Sequence, residues 1–164
     1  MVKKRIVYFA ALLMMVTGVL GTPVICHGEE NSDLIAGDDE RAAQQTVGEE
    51  GAEPVYAENL NEGTYAIEVD SSSSMFRIVH ADLTVKSGEM TAVLTLGGKG
   101  YLKLFMGTGE EAVAAEESAY APFVEDSEGA YTYEVPVEAL NKELECTSFS
   151  KRKEKWYDLS LIHI

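Results

Sequence analysis

The chain is short of cysteine, histidine and positive charge. Its two cysteines are Cys26 and Cys146, and its three histidines are His27, His80 and His163. That supply is too thin for a disulfide framework or a cysteine–histidine metal cluster. Thirteen Lys and Arg face 28 Asp and Glu, for a formal charge of −15. Such a surface repels nucleic acid and anionic membrane, and both are excluded as partners. The sequence also lacks a phosphate-binding glycine loop, a nucleophile elbow and any metal-ligand spacing. No paired carboxylates suggest acid–base chemistry either, so an enzyme is not expected.

A long apolar run is missing too. Ile6 to Leu20 is apolar and uncharged, but it is shorter than the roughly 20 residues that span a bilayer. It follows Lys3, Lys4 and Arg5 and precedes the broken stretch Gly21–Gly28, which is the layout of a secretory signal peptide. Residues 1–28 are read as that signal, with a cut near Gly28–Glu29. Membrane contact is then expected only through this region, if it is left uncleaved. A lipidated Cys26 is a second reading, with Ile25 standing where a small residue would be expected. Cleavage takes the formal charge to −18 and leaves Cys146 as the lone cysteine. With no internal disulfide to form, Cys146 is read as a small apolar strand residue. The protein is expected to be secreted, and associated with the cell surface.

Residues 29–58 carry ten acids and one cation, Arg41, with few large apolar side chains. This composition predicts a disordered acidic linker, because too little apolar surface is available to offset chain entropy.

From Asn59 the texture changes. Tyr65, Ile67 and Val69 alternate with polar or small residues. Ala81, Leu83 and Val85 share a face, and Met90, Ala92, Leu94 and Leu96 share another across the turn Lys86-Ser87-Gly88-Glu89. Leu102, Leu104 and Met106 follow, and then Tyr131, Tyr133, Val135 and Val137. Residues 109–118, GEEAVAAEES, are the one helical stretch. Leu144–Phe149 and Trp156–Ile162 complete about eight short strands. The fold class predicted is all-β, an immunoglobulin-like antiparallel two-sheet sandwich over residues 59–164. The chain stops at Leu161-Ile162-His163-Ile164, beside the last strand, which predicts a C-terminally truncated sandwich.

Four stretches in this order, NEGTYAIEV, SSSSMF, ADLTVKSGEMTAVLTL and AYTYEVPVEAL with a final KWYDLSL, carry a family resemblance. The region Leu60–Leu161 resembles the NEAT (near-iron-transporter) domains of Gram-positive bacteria, in a divergent clostridial form. The resemblance implies a sandwich displayed outside the cell. In many members it also implies haem held between a serine- and methionine-bearing lip and the last hairpin. Carried over, the lip residues are Ser74, Met75 and Phe76, with Met75 as a candidate metal ligand. Haem-binding members have two tyrosines four apart on the last strand, the first ligating iron. The second falls at Tyr157 and the first at Lys153, whose ammonium offers iron no lone pair near neutral pH. Read from the residues alone, Phe76 and Met75 also suit a core, and Trp156 and Tyr157 face opposite ways with one of them buried. Lys151, Arg152, Lys153 and Lys155 read as a solvated turn or as an anion site. Two functions stay open: haem capture, and a cofactor-free, adhesin-like module that binds host or wall protein.

Overall fold

The computed structural model describes residues 32–48 and 51–163. The expected signal peptide lies outside them. Among the described residues twelve strands run in chain order: β1 Val55–Tyr56, β2 Gly63–Ile67, β3 Val69–Ser71, β4 Ile78–Lys86, β5 Glu89–Leu96 and β6 Tyr101–Phe105. They continue as β7 Ala121–Pro122, β8 Val124–Glu125, β9 Tyr131–Val137, β10 Ala139–Leu140, β11 Glu143–Ser150 and β12 Trp156–His163. A short helix, α1 Gly109–Ala114, follows β6.

The all-β expectation holds. Two five-stranded antiparallel sheets form, ordered β3-β12-β11-β6-β7 and β2-β4-β5-β9-β8, beside a small β1-β10 pair. The core is the sum of their alternating inner residues. Leu83, Ala92, Leu94, Tyr133 and Val135 from one sheet are sealed from solvent, as are Leu104 and Leu161 from the other. Cys146 is buried among them, and that burial pushes its thiol pKa well up, so it serves as an apolar core residue.

The β4–β5 hairpin turns through two left-handed residues, Ser87 at φ 54° and Gly88 at φ 79°. That is the turn whose twist matches the flanking strands. Ser87 lacks glycine's freedom there, and its N–H is held by Glu62 Oε1 at 2.8 Å.

Two extended stretches are corners where the chain changes sheet, the first of them the run of Tyr65, Ile67 and Val69 read as one strand. Residues 63–71 leave one sheet as β2 and join the other as β3, and residues 121–125 cross from β7 to β8. Tyr65, expected on a half-buried strand, is consequently exposed.

The expected disordered linker is corrected over residues 32–48. Ala36 donates its N–H to Trp156 O at 2.8 Å, and Gln45 donates to Ser72 O at 2.8 Å. Ala36 is 1% exposed. Edge pairing supplies what composition did not: β3 covers only the far half of β12, and this arm takes up the backbone groups left open. Arg41, the one cation, bonds Asp158 at 2.9 Å.

Candidate functional site

The lip is shaped by its serines. Ser72 is 2% exposed, donates its N–H to Ser160 O at 2.9 Å, and accepts from Ser160 N at 2.8 Å through its hydroxyl. Ser71 Oγ accepts from Ser73 N at 3.2 Å, and Phe76 N–H donates to Ser73 O at 3.0 Å. The run is therefore a stapled turn with no helix. Its anchor is Phe76, fully buried, with its ring 5.2 Å from Tyr101 and 6.3 Å from Tyr133. Burying Phe76 throws its neighbour outward, and Met75 is 70% exposed.

Opposite stands the β11–β12 turn. Ser150 N–H donates to Lys155 O at 2.9 Å, and Glu154 sits at φ 55°. Lys151 N–H donates to Gly100 O at 2.8 Å, stitching this turn to the Gly97–Gly100 loop. A Cβ on Gly97 would meet the Arg77 guanidinium at 2.8 Å, so glycine is what lets Arg77 lie against the loop.

A register shift places one more residue. Phe149 pairs with Lys103, but Ser150 pairs with Tyr101, leaving Leu102 as a bulge. The bulge turns Tyr101 inward from a strand whose Lys103 faces out. Burial raises the Tyr101 phenol pKa, and Tyr157 beside it raises it further.

These elements enclose a cavity of about 500 Å³, lined by Met75, Arg77, Leu96, Tyr101, Arg152, Lys153 and Tyr157, the glycine loop, and Glu40 and Ala42 of the arm. The size suits a small organic ligand. Among the described residues Arg77, Arg152 and Lys153 have no carboxylate partner, whereas Lys155 Nζ is held by Glu40 at 2.6 Å. The cavity therefore joins apolar walls to a cationic rim within a strongly acidic protein. A more open hollow at the far end of β5 is rimmed by Glu89, Glu138 and Glu145, with no cation among the described residues that line it.

Of the residues singled out from sequence, Met75, Lys153 and Tyr157 meet at this cavity. Phe76 does not: it is a core residue, because the lip needs a buried anchor. Ser74 is exposed and outside the lining. Trp156 is buried on the outer face of its sheet, away from the cavity. Sequence reasoning missed Arg77, Tyr101 and the arm. Tyr101 was hidden by the bulge, and the arm by its composition. Among the described residues no three of His, Cys, Asp and Glu converge as a metal-holding group.

Fold and cavity together define a β-sandwich with a ligand-sized, cation-rimmed slot at one end. No protein-family model and no curated protein matches the chain. Two solved structures are similar to it. One is the NEAT5 domain of IsdX2, a B. anthracis hemophore in complex with heme, at 18% identity over 63% of this chain and 97% of that one, with a TM-score of 0.47. The other is a point mutant of that NEAT5 domain, also with heme, at 18% identity, 64% and 97% coverage and a TM-score of 0.48.

Proposed function

We propose that the protein is a secreted or cell-surface binding module that captures haem in the slot between the Met75 lip and the β11–β12 turn. The observation that carries this is the cavity itself, where apolar walls, tyrosine phenols and three cations without a carboxylate partner among the described residues converge. The residues fit the group. Leu96, the glycine loop and Met75 supply apolar surface for a planar macrocycle. Arg77, Arg152 and Lys153 face anionic substituents. Haem would bring a ferric iron that accepts an anionic oxygen donor. Tyr157, on the β11–β12 side of the slot, is assigned to the iron, and Tyr101, whose phenol pKa is raised by burial, is the second phenol of the lining. Lys153, at the family's ligand position, belongs with the anion-binding groups. Met75 is the cover, and its thioether is the softer, second candidate for the metal.

Titrating the protein from Glu29 onward with hemin should give a shifted Soret band. Tyr157→Phe should change that spectrum, and Met75→Ala should weaken binding with the spectrum kept. No shift in the parent protein would sink the proposal.

The exposed cations of the turn support a second reading, a cofactor-free module that docks an anionic wall or host component there. In that case, reversing Lys151, Arg152 and Lys153 to glutamate abolishes partner binding while hemin has no effect.

A further inference from the structure

The arm, residues 32–48, touches both jaws of the slot. On the lip side Gln44 bridges Ser73, and Gln45 N–H donates to Ser72 O at 2.8 Å. On the hairpin side Ala36 N–H donates to Trp156 O at 2.8 Å, Glu40 pairs with Lys155 at 2.6 Å and Arg41 with Asp158 at 2.9 Å. Between these anchorages Glu40 and Ala42 enter the cavity lining. Asp158 is tied down in turn, since its other oxygen accepts from Gly109 N at 2.6 Å at the start of α1. Otherwise the lip meets β12 only along its far half among the described residues, through the short β3 pairing and the two Ser72–Ser160 bonds that continue it.

We infer that this arm is a strap that ties the lip to the final hairpin and forms one wall of the ligand slot, so that it sets how long a bound ligand is retained. The inference rests on the slot being the ligand site proposed above. Two jaws joined only along the far half of β12 would sample a range of separations at the slot. A strap bonded to both holds one separation before the ligand arrives, which lowers the ordering cost of binding. Its effect falls mainly on dissociation, where differences between related complexes concentrate. Glu40 adds a second consequence. By engaging Lys155 it removes that cation from the rim and leaves Arg77, Arg152 and Lys153 to face the ligand.

The chain carries its own reporter. Trp156 is the one tryptophan, it is 3% exposed, and its carbonyl is an anchor of the arm. The test uses the full chain from Glu29 with Glu40→Gln and Arg41→Gln combined, and separately Gln45→Pro, which removes the N–H bonded to the lip. Acrylamide quenching of Trp156 reads arm docking, and transfer of bound hemin to excess apomyoglobin reads release. The double variant should expose Trp156 and release hemin about three- to tenfold faster, the range expected from losing two part-exposed ion pairs. The association rate should change little. Gln45→Pro should speed release while Trp156 stays shielded, because it frees only the lip end. Unaltered release from a variant whose Trp156 has become exposed overturns the strap. So does a Trp156 that stays shielded in the double variant. No Soret shift in the parent protein overturns the haem reading itself, whereas a shift with unaltered release overturns only the strap.

Discussion

The two sheets share one inner logic and differ on their outer faces. The outer face of β2-β4-β5-β9-β8 carries Thr84, Thr91, Val93, Thr95 and Glu134, all exposed or half-buried. The outer face of β3-β12-β11-β6-β7 carries Lys103, Phe149 and Trp156, and it is covered. Trp156 lies 5.2 Å from both Phe149 and Tyr120, and Lys103 Nζ sits 4.1 Å from the Tyr120 ring and 5.4 Å from that of Trp156. Alongside them Asp158 anchors α1 and the arm. One sheet is a two-layer structure's solvent wall, and the other is a middle layer. The ligand slot opens at the end of the layered side, where the arm can reach it.

The largest expected effect comes from that difference. Trp156→Ala should destabilise the protein by about 3–5 kcal/mol, the cost of emptying a well-packed aromatic site. Val93→Ala, at an outer position of the other sheet, should stay within about 0.5 kcal/mol. Urea unfolding midpoints for the two variants decide it. Equal losses would mean that the second layer is not held as the structure has it.

The same difference governs what could be read from the sequence. The β4–β5 hairpin and β9 have one wet face, so their inner residues alternate, and Leu83, Leu94, Tyr133 and Val135 were all legible as core. In β11, Cys146, Thr147 and Ser148 are buried in succession, because both faces are covered. Such a strand loses its period of two. The site was half legible for a related reason. Tyr157 alternates with the core residues Leu159 and Leu161, and Met75 lies beside an evident aromatic anchor. Tyr101 faces the slot only through a bulge. The arm docks through main-chain pairing at a sheet edge, to which composition is blind.

A middling effect comes from the covered layer's buried polar atoms. Thr147 is fully buried on the outer face, and its hydroxyl has no hydrogen-bond partner among the described residues. Thr147→Val keeps the shape and removes the unsatisfied group, and should raise stability by about 1 kcal/mol. Thr91→Val, on the bare face, replaces a solvated hydroxyl and should change little. Thermal melts of the two variants would separate the faces without touching the slot. A loss at Thr147 would mean that its hydroxyl is satisfied in solution.

The smallest effect concerns how the arm is held to the covered sheet, and it is set by pH. Hydrogen bonding from Lys155 and then from the Gly37 N–H, with the charges of Lys155 and Lys153 added, lowers the Glu40 pKa. A lowered acid contributes above its ordinary value of about 4.3, and the contribution fades as pH falls through the lowered one. The Glu40 hydrogen bond and charge, followed by Tyr157 and Asp33, raise the Lys155 pKa. A raised base contributes below about 10.4, and the contribution fades as pH climbs through the raised value. Arm docking should therefore be complete between those limits and loosen beyond both. Acrylamide quenching of Trp156 should show a flat middle with a rise at each end. In Glu40→Gln the acid rise should shrink, because the titrating carboxylate is gone. If it persists unchanged, the acid response does not come from Glu40, and the Glu40–Lys155 pair is not what holds the arm.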